Sequence, residues 1–373
     1  MSHDLIILGT GGVGSSALFH AAERGLSVLG LDRFPPAHDR GSSHGETRMI
    51  RQSYFENPAY VPLLRASYRL WDELVERTGE ALFQRTGVAY FGRPEGGLLS
   101  GVQASSETHG IPIESVSADD FETRWPGFAK DDSHEVLFEP DAGYLRVEDC
   151  IAAYLREAVR LGAEHRHGET ILGWEESGDG VEVRTDRGSY QADRLIVTAG
   201  CWSSQLLTEL RVPLKLVRKH LHWFEVDEAL YGEASGFPCF AHEFGGDCFY
   251  GFPSAGAGLK LAEHTGGDEI EDPLEASREL DPTDTERIEH YLACCFPQAS
   301  RKRIRHEVCF YTNSPDEHYL VDRLPGSERV AFAAGLSGHG FKNASALGHA
   351  LADLVTGEKP IADVGFLGMG RFG

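Results

Sequence analysis

The chain has no long apolar run. No segment approaches the roughly 18–20 consecutive apolar residues that span a bilayer, so a membrane is not an expected partner. Residues 1–9 lack the basic start and cleavage site of a secretory leader and run straight into an apolar strand, which makes the cytoplasm the expected location. Cysteine is sparse. There are seven, odd in number, scattered and without a CxxC pair, and the adjacent Cys294 and Cys295 are poorly placed to clamp a metal or bridge distant segments. Reduced thiols and no metal site are expected. Positive charge is also short, with 35 Lys and Arg against 58 Asp and Glu and a net charge of −23. Such a surface repels nucleic acid and anionic lipid, leaving a small molecule as the expected partner. Internal repeats and low-complexity segments are absent.

What remains is an ordinary globular composition over 373 residues, 41% hydrophobic and 25% charged, enough for two interleaved domains. Leu5-Ile6-Ile7-Leu8 reads as a buried strand, followed by the turn Gly9-Thr10-Gly11-Gly12-Val13-Gly14, a helix over 15–25 and a second strand over 28–31 ending in Asp32. A polar loop over 39–47 breaks this βαβ pattern. Amphipathic helices follow at 58–77 and 147–161, then a β-meander over 168–191 that turns at Ser177-Gly178-Asp179-Gly180. A further buried strand is predicted over 193–200, an aromatic-rich antiparallel sheet over 214–264, and an acidic loop over 267–286 leading into a helix at 283–295. A strand at 330–334 and a helix at 344–354 end the pattern.

Gly9, Gly11 and Gly14 form GxGxxG between a strand and a helix: the first permits the tight turn, the second lets backbone approach a pyrophosphate, and the third lets helix and strand pack closely. The helix N-terminus offers free N–H groups to the phosphates, and Asp32 sits where a carboxylate accepts from a ribose. An NAD domain continues with further βα units, whereas here the next strong parallel-type strand is near 195, which favours a flavoprotein. The loop Gly338-His339-Gly340-Phe341-Lys342 joins a strand to a helix whose positive end suits an anionic ring; it reads equally as a plain βα loop with a surface lysine. Arg48 and Arg51 suit carboxylate binding or stacking on a conjugated ring. Lys260 and His264, four apart in a strand-like segment, fall on one face, and a lysine beside a flavin favours electron transfer to O2. His220 and His222 are too few for a metal and read as ordinary sheet residues.

Taken together, GTGGVGSS, SSHGETRMIR, YVPLLRASYRLWDEL, RWPG, DRLIVTAGCW, YGFP, GLKLAEHTGG, CFYTNSPDEHYLVD and GLSGHGFK, in this order, resemble the monomeric sarcosine oxidase and N-methyltryptophan oxidase family, FAD-dependent amine oxidases of the glycine/D-amino-acid oxidase superfamily. The resemblance implies an α/β fold (α+β overall) with a discontinuous Rossmann-like FAD-binding domain and an inserted substrate domain on a large, mostly antiparallel sheet. The corresponding boundaries are 1–85, 147–213 and 320–373 for the first and 86–146 and 214–319 for the second. It implies FAD linked covalently through Cys309, with Gly9, Gly11, Gly14, Asp32, His44, Thr47, Gly338 and Gly340 around the cofactor. Arg51, Lys342 and His339 are implied to bind substrate, and Lys260, His264, Arg48, Tyr250 and Tyr311 to act in catalysis.

The implied activity is oxidation of an N-methyl amino acid by hydride transfer, imine hydrolysis to formaldehyde and primary amino acid, and O2 reduction to H2O2, by a monomer. Three departures stand out. Asn343 follows Lys342 in place of an aromatic residue, Ala241 replaces a bulkier side chain, and Asp32 replaces the Glu more common in FAD enzymes. The first two leave cyclic (proline, pipecolate) or glycated amino acids open as substrates. An NAD-dependent dehydrogenase and a non-catalytic flavin-binding protein are the alternatives of other classes.

Overall fold

Two large sheets divide the molecule, seen in a computed structural model that describes residues 2–178 and 180–373. The turn position Asp179 lies outside the described residues. The first sheet has eight strands drawn from the start, middle and end of the chain. Its centre is parallel: Val28–Asp32, His3–Leu8, Gly188–Val197 and Val330–Ala334 lie side by side. Their apolar side chains are buried because helices cover one face and the segment 199–214, with Met369 and Phe372, covers the other. The helix Gly12–Glu23 packs between Val147–Arg160 and Ala344–Thr356, with Val61–Thr78 outside them.

Four elements differ from the sequence pattern. The first helix begins at Gly12, not near residue 15, because strand–helix packing overrides the poor helix propensity of Gly12 and Gly14. The expected strand over 193–200 is the second half of Gly188–Val197, whose first half completes the meander with Gly180–Thr185. Glu164–His167 adds a parallel strand beside Val28–Asp32; its all-polar sequence gave no signal. The acidic stretch after 267 contains the short strand Asp268–Ile270, paired with Leu216–Arg218.

The second sheet has nine strands and includes Lys215–Phe224, Leu259–Glu263, Asp247–Phe252, Cys239–Phe244 and Val88–Gly92 in that order, with Arg303–Asn313 on the free edge of Lys215–Phe224. Every pairing among these is antiparallel except Cys239–Phe244 with Val88–Gly92. Alternation assigns its two faces. Phe224, Phe240, Phe249 and Leu261 turn outward onto an aromatic core with Phe128, Phe237 and Tyr291, where Phe249 stacks on Tyr291 at 4.2 Å. Tyr250, Lys260, Ala262, Leu221, Trp223 and Cys309 turn inward. A small sheet of Thr47–Ile50, Gly143–Arg146 and Phe83–Gln84 closes the space between the two large ones. Among the described residues no helix is long and apolar enough to cross a membrane.

Candidate active site

A long cleft runs along the C-terminal ends of the parallel strands, lined by Gly9–Val13, Asp32–His38, Gly41–Ser43, Thr198–Trp202 and the loop from Gly335 to Phe341. The turn over residues 9–14 opens it. Gly9 has φ +84, and a Cβ on Gly14 would lie 1.8 Å from the Gly9 carbonyl oxygen, so only glycine lets the helix start this close to the strand. At Gly11 a Cβ would meet nothing nearer than Ser43 Oγ at 3.9 Å, which leaves its backbone open to the cleft. Asp32 accepts from the N–H of Thr10 at 2.7 Å and of Phe34 at 3.0 Å, so its carboxylate is fixed at the cleft wall.

The loop after the last parallel strand makes the far end. Gly338 has φ +77, and a Cβ there would press into the Tyr311 ring at 2.3 Å. Gly340 packs on Leu336 and also lines the cleft. Beyond lies a second cavity of about 70 Å³, lined by Arg51, Glu56, Ala241, Cys248, Tyr250, His264, His339 and Lys342 among others. Arg48, Tyr311, Gly338 and Phe341 line both spaces.

The two cations expected to bind a carboxylate do converge on the second cavity. Arg51 is 3% exposed, sandwiched against Tyr54 and Phe55 at 4.6 and 4.2 Å, and donates to both oxygens of Glu56 at 2.7 Å. Lys342 Nζ donates to the His339 carbonyl at 2.8 Å, and burial followed by Arg51 lowers its pKa to about 7. Glu56 resists burial because Arg51 lowers its carboxyl to about 2. Glu56 gave no signal in the sequence, since an acidic residue five positions from an arginine on an irregular loop has no periodicity to betray it. His339 is committed on both sides, to the Tyr319 hydroxyl at 2.9 Å and the Glu317 carbonyl at 3.0 Å, and burial lowers it to about 3. Its ring therefore meets the cavity as a neutral wall.

His264 is the residue just past Leu259–Glu263; its N–H reaches the Cys248 carbonyl at 2.7 Å, which keeps the ladder and the inward face. Its Nδ1 lies 3.3 Å from the Tyr311 hydroxyl, and burial lowers it to about 4, so it stays neutral near pH 7. Lys260 shares that face but lies behind the cavities. Its Nζ donates to the carbonyls of Gly45 and Thr47 at 2.6 and 3.0 Å and to Thr47 Oγ1 at 3.0 Å, below the Phe252 ring at 4.7 Å. Burial, then Arg48, lowers it to about 7. Glu148, in the first turn of Val147–Arg160, accepts from the N–H groups of Gly45 and Glu46 at 2.7 and 3.1 Å and so ties this loop down. It too was missed, hidden in an ordinary amphipathic helix.

Cys309 is 2% exposed on the inward face of Arg303–Asn313. Arg48 donates to its sulfur at 3.3 Å and to the Ser42 carbonyl at 2.8 Å. His44 lies beside it. Against burial, Arg48 and His44 lower the thiol to about 7.

The profile of the FAD dependent oxidoreductase family matches residues 4–354. Monomeric sarcosine oxidase from Bacillus sp. (strain B-0618) is 37% identical over 374 residues, covering 99% of this chain and 96% of that protein. N-methyl-L-tryptophan oxidase from Yersinia pestis (strain Pestoides F) is 37% identical over 382 residues, covering 100% of both. Among solved structures, NikD, an amino acid oxidase essential for nikkomycin biosynthesis, superposes with a TM-score of 0.86 at 24% identity over 98% of this chain and 97% of that one. Glycine oxidase from Geobacillus kaustophilus superposes with 0.84 at 18% identity over 99% of each. The cleft fits FAD: beside its bare glycine turn it is lined by Trp202 and Thr312, whose Nε1 and Oγ1 are buried with no partner among the described residues. The NAD alternative falls with this match. The chain belongs to the FAD-dependent oxidoreductase family, as a relative of monomeric sarcosine oxidase and N-methyl-L-tryptophan oxidase.

Proposed function

We propose that the protein is a monomeric oxidase of secondary amino acids of the sarcosine or N-methyltryptophan type, with FAD held covalently by Cys309. The observation that carries this reading is the convergence of Arg51 and Lys342 on a small cavity that shares Arg48, Tyr311, Gly338 and Phe341 with the cofactor cleft. Two buried cations on one side of a cavity recognise a carboxylate. Glu56 occupies Arg51 in this structure, so an incoming carboxylate takes the place of a carboxylate already there.

Bound FAD would supply the two-electron acceptor and, on reaction with O2, hydrogen peroxide. The chain supplies the rest. Arg51 and Lys342 orient the substrate by its carboxylate. His264, neutral, and the Tyr311 hydroxyl offer hydrogen-bonding groups that stabilise a neutral amine without adding charge. Gly9 and Gly14 let the turn and helix pack closely, Gly11 leaves room for the pyrophosphate, Asp32 takes the ribose, and Gly338 and Gly340 admit the flat ring. Lys260, with Thr47, serves the reaction with oxygen through its charge. The imine product hydrolyses, and an N-methyl substrate then gives formaldehyde and the primary amino acid.

One observation favours a bulkier substrate within the same chemistry. Ala241 and Cys248, on neighbouring strands, line the second cavity with small side chains. Peroxide release should be followed with sarcosine, N-methyltryptophan, N-methylalanine, proline, pipecolate and fructosyl-glycine. Peroxide from an N-methyl amino acid is the expected result. Peroxide from cyclic or glycated substrates alone would move the specificity, and silence across the panel by the flavin-loaded protein would overturn the reading.

A further inference from the structure

We propose that Glu307, held by Arg305, is a positioning residue that fixes His44 as an imidazolium against Cys309 and so keeps this buried sulfur as a thiolate. The proposal deepens the reading of Cys309 as the flavin anchor and rests on it for its purpose, though not for its geometry.

Direct contacts run from Arg305 through Glu307 to His44. Arg305 Nε donates to Glu307 Oε1 at 2.8 Å, and its NH1 pairs with Glu46. The other oxygen of Glu307 lies 3.1 Å from His44 Nδ1. His44 is 2% exposed, and its second ring nitrogen, Nε2, has no hydrogen-bond partner of its own among the described residues. Cys309 is the neighbour that answers it electrostatically. Strand register explains the meeting: Glu307 and Cys309 alternate onto the same inward face of Arg303–Asn313, opposite Leu221 and Lys219.

Comparison within the molecule separates this from ordinary burial. The buried His20, His242 and His339 are lowered to about 4, 3 and 3, chiefly by desolvation. His44 is as buried, yet it is raised to about 9 with Cys309 and Glu307 as the causes. The buried thiol of Cys239 is pushed up to about 12, whereas Cys309 is lowered to about 7. Other charges face the pair as well. Arg48 from the strand Thr47–Ile50 and Lys260 from Leu259–Glu263 favour the thiolate, and Arg48 opposes the charge on His44. Lys219 turns its Nζ to the carbonyls of Thr265 and Gly266, and His38 adds a further imidazole near His44. Arg48 is a fixed charge of the site, whereas Lys260 is lowered to about 7; the carboxylate hydrogen-bonded to His44 is Glu307.

The test is an ultraviolet titration of thiolate in the full chain produced under riboflavin depletion, before any flavin is attached, for the wild type and for Cys309→Ser, Glu307→Gln and Glu307→Asp. The wild type should show one thiolate appearing near neutrality, absent from Cys309→Ser. Glu307→Gln should move that midpoint up by about one unit or more, while Glu307→Asp keeps it low. An unmoved midpoint in a folded Glu307→Gln chain would overturn the proposal. Should Glu307→Gln fail to fold, Arg305→Gln loosens the same carboxylate and should move the midpoint in the same direction; no movement there overturns the proposal as well.

A second readout separates the two readings. Chains reconstituted with FAD at a series of pH values are denatured, and the flavin retained on the polypeptide is measured. The pH dependence of retention should shift upward with the thiolate midpoint. A wild type that retains no flavin would remove the covalent link and leave the titration to decide the role of Glu307.

Discussion

Arg51 has two roles that a single substitution separates poorly. Removing it deletes half of the proposed carboxylate site, expected to weaken binding by on the order of 2–5 kcal/mol, and also strands the partly buried Glu56 without its cation. Glu56→Gln is the cleaner probe, since it frees Arg51 while leaving its position packed between Tyr54 and Phe55. Below the Lys342 midpoint of about 7, this variant should bind a carboxylate inhibitor several-fold more tightly than the wild type in equilibrium titration. Lys342 gives the pH dependence. Its pKa is lowered, so it is cationic below about 7 and neutral above. Inhibitor affinity should therefore fall as pH rises through that value, and Lys342→Met should abolish the fall. Lys260→Met should slow the reaction of reduced protein with oxygen far more than its reduction by substrate; equal losses in stopped-flow measurements of the two half-reactions would remove Lys260 from that role.

Among the elements, the turn from the first strand to the first helix is the least forgiving. A methyl group on Gly14 would sit inside the van der Waals radius of the Gly9 carbonyl and Thr198 Oγ1. Gly14→Ala should yield a chain that binds FAD weakly or not at all, read directly from the visible absorbance of the purified protein. This turn was legible in the sequence apart from the point where its helix begins, because glycine spacing, the apolar strand and Asp32 are local signals. So were the helices at Val61–Thr78 and Val147–Arg160, whose apolar spacing matches one buried face. Legibility failed where structure depends on partners distant in sequence. Glu164–His167 is a strand only because Val28–Asp32 offers it an edge. Thr47–Ile50 begins where the expected polar loop ends and carries no strand signal, yet it pairs with Gly143–Arg146, and this pairing aims Arg48 at Cys309. The carboxylates that complete the site, Glu56, Glu148 and Glu307, come from a loop, a helix and a strand with no shared pattern. Sequence could name the candidate residues; it could not name the groups that hold their charges.

Over the whole molecule, burial of neutral histidines sets the response to acid. His20, His242 and His339 are lowered to about 4, 3 and 3 by desolvation. Their folded values lie below the unfolded one, so the unfolded chain takes up protons first as pH falls. Their contribution to stability is full above about pH 6.5 and is lost progressively down to the folded values, at about 1.4 kcal/mol per pH unit for each histidine. Thermal melts should show a steep decline through this window, flattened by His242→Phe, which keeps the aromatic packing on Tyr291 but cannot take up a proton.

The alternation along Lys215–Phe224 and Arg303–Asn313, regular up to the register shift at Trp223 and Phe224, constrains how this gene can change. On these strands Leu221, Trp223, Glu307 and Cys309 face the chemistry, while their immediate neighbours His222, Phe224 and Val308 face away. A point mutation alters one face at one place. A single-codon insertion or deletion would exchange the faces for the rest of the strand, putting charge into the aromatic core and apolar rings against the sulfur. Descendants of this sequence should therefore differ from it on both faces by replacement, and gain or lose length only in the turns between.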